Sequence, residues 1–297
     1  MDNKITKTKL KTFFTYDFIK VVAVCVVLCL IFYFLYSFVE KKPTEGQRFT
    51  ILYADDVVLG DESNSVLYTL NSGEDDNSFS YDILMVQPNQ FTIGSYSQTY
   101  LLNTYTEVGD DDIFICADSL VVEYIESYNA QDLDSYIIDA FNYLYDNGFY
   151  TTSGQINQDK IIDNFIKKYG KDSRFKTKEN LEKGKQLEIE RIERIYKNAT
   201  ILKSVFDSHP EIFYKNEEGN LSKTGRYAIN LGKLEGGEKN TVNSFYIQQT
   251  NEETNEVKKT SNGVYLLVGN NKNINGELHF ESLEYIVCML KTYSNLI

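Results

Sequence analysis

Residues 21–39 form an apolar run without a charged side chain, and Lys4, Lys7, Lys9, Lys11 and Lys20 stand in front of it. A helix of that length rises about 1.5 Å per residue, crosses a hydrocarbon layer of roughly 30 Å and satisfies its own backbone there. The run therefore predicts a retained transmembrane helix. A cleaved signal peptide has a shorter apolar region, about 7–15 residues, and a small-residue cleavage site. Here the run leaves through Phe34, Leu35, Tyr36, Ser37, Phe38, Val39 and Glu40 with no Ala-x-Ala pattern. Cys25 and Cys29 follow Val24 and Leu28, where a lipoprotein signal needs a small residue. Basic residues resist translocation, and five lysines before the run outnumber Lys41, Lys42 and Arg48 after it, which puts the N-terminus in the cytoplasm. Tyr16 and the cluster Phe32, Tyr33, Phe34 and Tyr36 suit the two interfacial belts.

The expected organisation is a cytoplasmic basic tail over 1–20, a transmembrane helix over 21–39, a linker over 40–48 and an extracytoplasmic domain over 49–297. The partner implied by the run is the lipid bilayer. Charge divides in the same way. Residues 1–42 hold seven lysines against Asp2, Asp17 and Glu40, a net of +4; set against a whole-chain charge of −13, this leaves −17 on the rest. An acidic domain repels nucleic acid, so no nucleic-acid partner is expected, and the same charge keeps an exposed domain soluble. The absence of Trp, with 3 Pro and many Asn, Lys, Ile and Tyr, points to an AT-rich bacterial genome. Cys116 and Cys288 are the cysteines outside the run. They are open to two readings, a single disulfide or two buried thiols.

Short continuous apolar runs at 49–54, 83–86 and 113–117 read as strands buried on both faces, with Val57, Val58 and Leu59 continuing the first. Helices are read over 120–128 with Ser119 as N-cap, over 133–146 up to Gly148, over 156–169 up to Gly170, and over 178–206 before Pro210. Together these make a helical middle over 119–210. Strand patterns return at 226–231, 244–249 and 264–268, residues 251–262 read as a polar hairpin or loop, and a last helix is read over 277–290. The pattern describes an α/β domain with a helix-covered mixed sheet.

Chemistry is thin. His209 and His279 are the two histidines, and no Cys or His pair has metal-ligand spacing, so no zinc centre is expected. Asp55–56, Asp75–76 and Asp110–112 lack the spaced Asp and Gly pattern of a calcium loop and read as solvated loop acids. Ser173 with Lys176, Ser127 with Asn129, and Lys223-Thr-Gly match the tripeptide signatures of cell-wall transpeptidases, but in the wrong order along the chain. No catalytic residue and no cofactor is assigned, and the domain is expected to bind rather than catalyse. In open parallel sheets, ligands bind beyond the carboxyl ends of strands, where helix N-termini offer free N–H groups. The residues that pattern nominates are Asp55 and Asp56, Gln87 and Asn89 flanking Pro88, and Asp118 and Ser119. The alternative reading is that they cap a helix and make a turn.

The stretch 81–88 (Tyr-Asp-Ile-Leu-Met-Val-Gln-Pro) resembles the early strand and turn of extracellular solute-binding proteins of ABC importers. The stretches 225–231 and 263–273, with the helix that follows, resemble their C-terminal return strand, Asn-rich turn and closing helix. The resemblance covers the two ends of the domain. It implies a two-lobed α/β fold of periplasmic-binding type and capture of a small polar solute, or service as an accessory to a membrane transporter or signalling complex. A structural, protein-interaction ectodomain in cell-envelope assembly is the alternative, followed by an anchored cell-wall hydrolase or transpeptidase.

Overall fold

The computed structural model of the chain describes residues 7–12, 18–39, 47–72, 79, 81, 83, 85–92, 94–109, 111–128, 130–216, 219, 221–250, 257–269 and 280–297. Asp75, Asp76, Asp110, Asn129 and His279 lie outside them, as do most of the linker, residues 251–256 of the polar loop and the Asn-rich turn after Gly269. Two compact units result, Met1–Pro43 and Thr44–Ile297.

In the first unit, α1 (Lys7–Thr12) precedes α2 (Phe18–Val39), a helix of 22 residues. Apolar side chains project from it on all sides: Ile19, Val24, Val26, Leu30, Phe32 and Tyr33 are each more than half exposed. Among the described residues no helix is long and apolar enough to cross a membrane. In α2, side chains are described only as far as Tyr33.

The second unit is built on a five-stranded mixed sheet. The strands are β1 (Arg48–Ala54), β2 (Val58–Leu59), β3 (Met85–Phe91), β4 (Ile113–Ala117), β5 (Ala228–Asn230), β6 (Phe245–Thr250), β7 (Val257–Thr260) and β8 (Val264–Val268). The main sheet has the order β3-β1-β4-β8-β5, and β2-β6-β7 form a second sheet. β1 runs parallel to both β3 and β4, whereas β8 is antiparallel to β4 and to β5. All residues of β4 and β8, and all of β1 after Arg48, are buried, as continuous apolar runs require when helices cover both faces.

Strand alternation divides those runs between two cores. Phe49, Ile51, Tyr53, Ile113, Ile115, Leu266 and Val268 point to one face, where α6 (Leu133–Asp146), α8 (Lys178–Ser208) and α9 (Glu281–Tyr293) cover them. Leu52, Ala54, Phe114, Cys116, Tyr265 and Leu267 point to the other, under α4 (Tyr96–Val108) and α5 (Asp118–Ser127). α7 (Gln158–Tyr169) packs on α8 through Ile161 and Phe165. The helical middle thus shares a core with the sheet, and Thr44–Ile297 is one compact unit. That corrects the expectation of two lobes: a lobe needs a core of its own, and α6 and α8 spend their apolar faces on the sheet.

Other boundaries shift for local reasons. Of the run at 83–86, Met85 and Val86 open β3, which continues through Pro88. β3 lies at the sheet edge, where a proline costs no ladder bond on its open side. Two helices absent from the sequence reading are α3 (Ser65–Ser72) and α4. Both are rich in Tyr, Thr and Asn, weak helix formers with little apolar periodicity. α4 is held by burial of Leu102 and Thr106 and closed by Gly109 in the left-handed region at φ 72. Cys116 and Cys288 are both buried and in no disulfide, which decides between the two readings.

Candidate functional site

β1 is followed in the sheet by β3 on one side and β4 on the other, so the strand order reverses between β1 and β4. In a parallel sheet such a reversal opens a crevice at the carboxyl ends, because the two following connections leave on opposite sides. Asp55 and Asp56 follow β1 here, and Asp118 and Ser119 open α5 directly after β4. Asp56 Oδ1 accepts from the Ala117 backbone N–H at 3.3 Å and Oδ2 accepts from the Ser119 hydroxyl at 3.0 Å. The carboxylate therefore occupies the crevice and serves the free N-terminal end of α5. Ala117, not Ser119, is the N-cap, and its side chain offers no acceptor, so Asp56 supplies it from another strand.

Gln87 and Asn89 do not join this group. They sit mid-strand in β3, opposite Thr50 and Leu52 of β1, and the Asn89 amide donates to Tyr105 Oη of α4 at 3.2 Å. Pro88 signals a turn in sequence, and the edge position removes the reason for one. Asp55 is exposed at the end of β1, its backbone N–H bonded to the Phe91 carbonyl.

A cavity of about 590 Å³ opens on the other flank of α5, above the ends of β8 and β5. Asp118, Ser119, Val122, Glu211, Phe213, Tyr214, Lys215, Asn230, Lys233 and Tyr265 line it. Its floor is polar and buried. Tyr265 and Asn230 are 8% and 6% exposed, and the Asn230 amide donates to Tyr265 Oη and to Asn262 Oδ1, each at 3.3 Å. Asn230 Oδ1 accepts from the Gly232 N–H at 3.0 Å, which fixes the amide's orientation. Burial, and then the neighbouring Asp118 carboxylate, push the Tyr265 phenol up to about 12, so it stays protonated. Tyr214 stands edge-on to Tyr265 at 5.4 Å between ring centroids.

The rim carries both signs of charge. Asp118, Glu211, Lys215 and Lys233 are all part of the lining, and His209 Nδ1 lies 2.9 Å from Glu211 Oε1. The Glu211 backbone N–H and His209 hold the Glu211 carboxyl below its ordinary range. The two lysines make no ion pair among the described residues. Such a lining can bind a polar molecule with separate donors and acceptors at floor and rim. Of the six sequence-nominated residues, Asp118 and Ser119 line it. Asn230, Lys233, Lys215 and Tyr265 escape a sequence reading because antiparallel β8 and β5 bring them in from far along the chain. One local signal was present: Asn230 ends a strand two residues before Gly232.

The transpeptidase-like triplets do not converge. Ser127 ends α5 and the Lys223 ammonium donates to the Ile125 carbonyl nearby, whereas Ser173 lies in the α7–α8 connection beside Asp172 and buried Phe175. Among the described residues no group of three or more His, Cys, Asp or Glu side chains is arranged to hold a metal ion. Fold and cavity define a mixed α/β domain with a polar cleft at the carboxyl end of its parallel strands. No family model, curated protein or solved structure matches the chain.

Proposed function

We propose that this chain is a membrane-anchored binding module, held by α2 and capturing a small polar solute in the cleft beside α5. The observation that carries the reading is the cleft's lining: a buried, hydrogen-bonded Tyr265–Asn230 floor under a rim with both carboxylates and ammoniums. The anchor reading rests on the sequence: the apolar run 21–39 holds no charged side chain and five lysines precede it. The lysine asymmetry directs the domain Thr44–Ile297 to the extracytoplasmic side. Delivery to a membrane transporter or signalling partner is the service such a tethered module performs.

The full chain in detergent micelles, screened by thermal shift against amino acids, sugars and short peptides, tests capture. A ligand of the folded state at about a hundred times its Kd adds roughly 2.7 kcal/mol, a visible rise in melting temperature. The rise is expected to vanish in Tyr265→Phe and Asp118→Asn; no response across the panel sinks the reading. Carbonate extraction of membranes from expressing cells tests the anchor, the protein being expected to remain in the pellet. One observation favours a second reading, a protein-interaction ectodomain: α4 exposes Tyr96 (91%) and Tyr100 (69%), and tyrosine is enriched at interfaces.

A further inference from the structure

A second groove, of about 820 Å³, lies between β7 and the segment 232–242. β7 is the edge of the three-stranded sheet, so among the described residues alternate N–H and C=O groups along it have no strand partner. The opposite wall is anchored. Gly236 pairs with Ser294, the Lys239 N–H donates to the Thr292 carbonyl and the Asn295 N–H to the Glu235 carbonyl. A side chain on Gly237 would strike the backbone at Tyr293 and Ser294 at 2.4 Å, so the close seating of this wall depends on a glycine there. The groove is therefore preformed.

Its charge opposes that of the domain. Lys233, Lys239, Lys258 and Lys259 line it against Glu235 and Glu238, a local excess of positive charge within a region of net −17. Lys239 donates to Ser65 Oγ at 2.8 Å and Lys259 lies over the Tyr246 ring at 4.5 Å, whereas Lys233 and Lys258 make no ion pair among the described residues. Lysines on an edge strand also discourage unwanted pairing. That role needs no second wall, and here the segment 232–242, which abuts Asn262 at Gly232, lines one groove with residues 258–262.

From these features we infer that β7 and the 232–242 segment form a docking groove for an extended acidic peptide segment of a partner protein, which adds as a strand to β7. Backbone hydrogen bonds supply the affinity and the lysines select acidic side chains. β7 is four residues long, about 13 Å, so it reads a short segment.

Fluorescence anisotropy on the full chain in detergent micelles tests this with a labelled peptide of about ten residues alternating Glu and Thr, the repeat a strand presents on one face. Expected are saturable binding, a Kd at least about tenfold weaker for a peptide of equal charge interrupted by prolines, which cannot donate to the ladder, and a similar loss for the Lys258→Glu, Lys259→Glu double variant. Neither lysine lines the solute cleft, so this loss is separable from failure of solute capture. Absence of binding overturns the inference. So do equal binding of the proline-interrupted peptide or of its Lys-for-Glu counterpart, and tighter binding of inorganic polyphosphate, which would mark a surface for anionic polymers.

Discussion

The Asp56 carboxylate and the Ser119 hydroxyl meet at 3.0 Å across 63 residues of chain, tying the turn after β1 to the first turn of α5. The same carboxylate accepts from the Ala117 N–H, so one side chain both caps a helix and closes the reversal point of the sheet. Asp56→Ala is expected to cost about 1 kcal/mol, the ordinary value of an N-cap, and to lower the melting temperature by roughly 2–4 °C. Asp56→Asn keeps one acceptor oxygen and is expected to lose less. Urea unfolding of both variants checks the ranking, and a neutral Asp56→Ala would refute the capping role.

Gly184 sits in the interior of α8, where alanine would normally gain about 1 kcal/mol of helix propensity. A Cβ there would lie 2.5 Å from the Phe165 ring edge and 2.7 Å from that of Phe175. Overpacking of this kind costs on the order of 1–3 kcal/mol, so the steric term wins and Gly184→Ala is expected to destabilise. A higher denaturation midpoint for the variant would show that the rings yield freely.

Arg191 is held in a fork by Glu188, at 2.8 and 2.9 Å, with Glu281 Oε1 at 3.8 Å and Tyr143 Oη at 3.2 Å. Burial raises the Glu188 pKa, but the Arg191 charge and hydrogen bonds from Arg191 and Tyr81 outweigh it and hold the carboxyl below its usual range. A depressed folded pKa gives stability that is present above the unfolded value and lost as pH falls through the folded one. Arg191→Met leaves the buried Glu188 carboxylate uncompensated and is expected to cost about 3–5 kcal/mol near neutral pH, with a smaller deficit in acid where Glu188 protonates. Denaturant melts across that pH range read both parts.

Glu284 shows the opposite sign. It is 6% exposed on α9, one oxygen accepts from the Asn198 amide and the other has no hydrogen-bond partner among the described residues. Burial pushes its pKa up, against the pull of Asn198. With the folded value above the unfolded one, its contribution to stability is full below the unfolded pKa and is lost as pH rises through the folded one. Glu284→Gln keeps an acceptor for Asn198 and removes the charge. The variant is expected to be more stable than the parent at neutral pH, on the order of 1 kcal/mol, with the gap closing in acid. A constant difference at all pH values would contradict the assignment.

Much of the second unit is visible in the chain because its strongest patterns are local. α6 spans the residues its apolar period marks, Leu133–Asp146, and β4 and β8 coincide with uninterrupted apolar runs that only a doubly covered strand tolerates. α3 and α4 were not visible, since their Tyr, Thr and Asn content carries no helical stripe and their stability comes from packing on the sheet. Pro88 misleads for a related reason: whether a proline breaks a strand depends on having a neighbour on its open side.

By itself the sequence determines an apolar helix at the N-terminus, a strongly acidic remainder, the α/β class and the Asp118–Ser119 entry into α5, because period, charge and turn chemistry are properties of neighbouring residues. Tertiary structure alone decides that the helical middle shares one core with the sheet, that Asp56 is committed to a cap, and that Asn230, Lys233 and Tyr265 line one cavity with Asp118. Those outcomes depend on strand order and on which faces meet, and burial across a sheet joins residues that no local pattern connects.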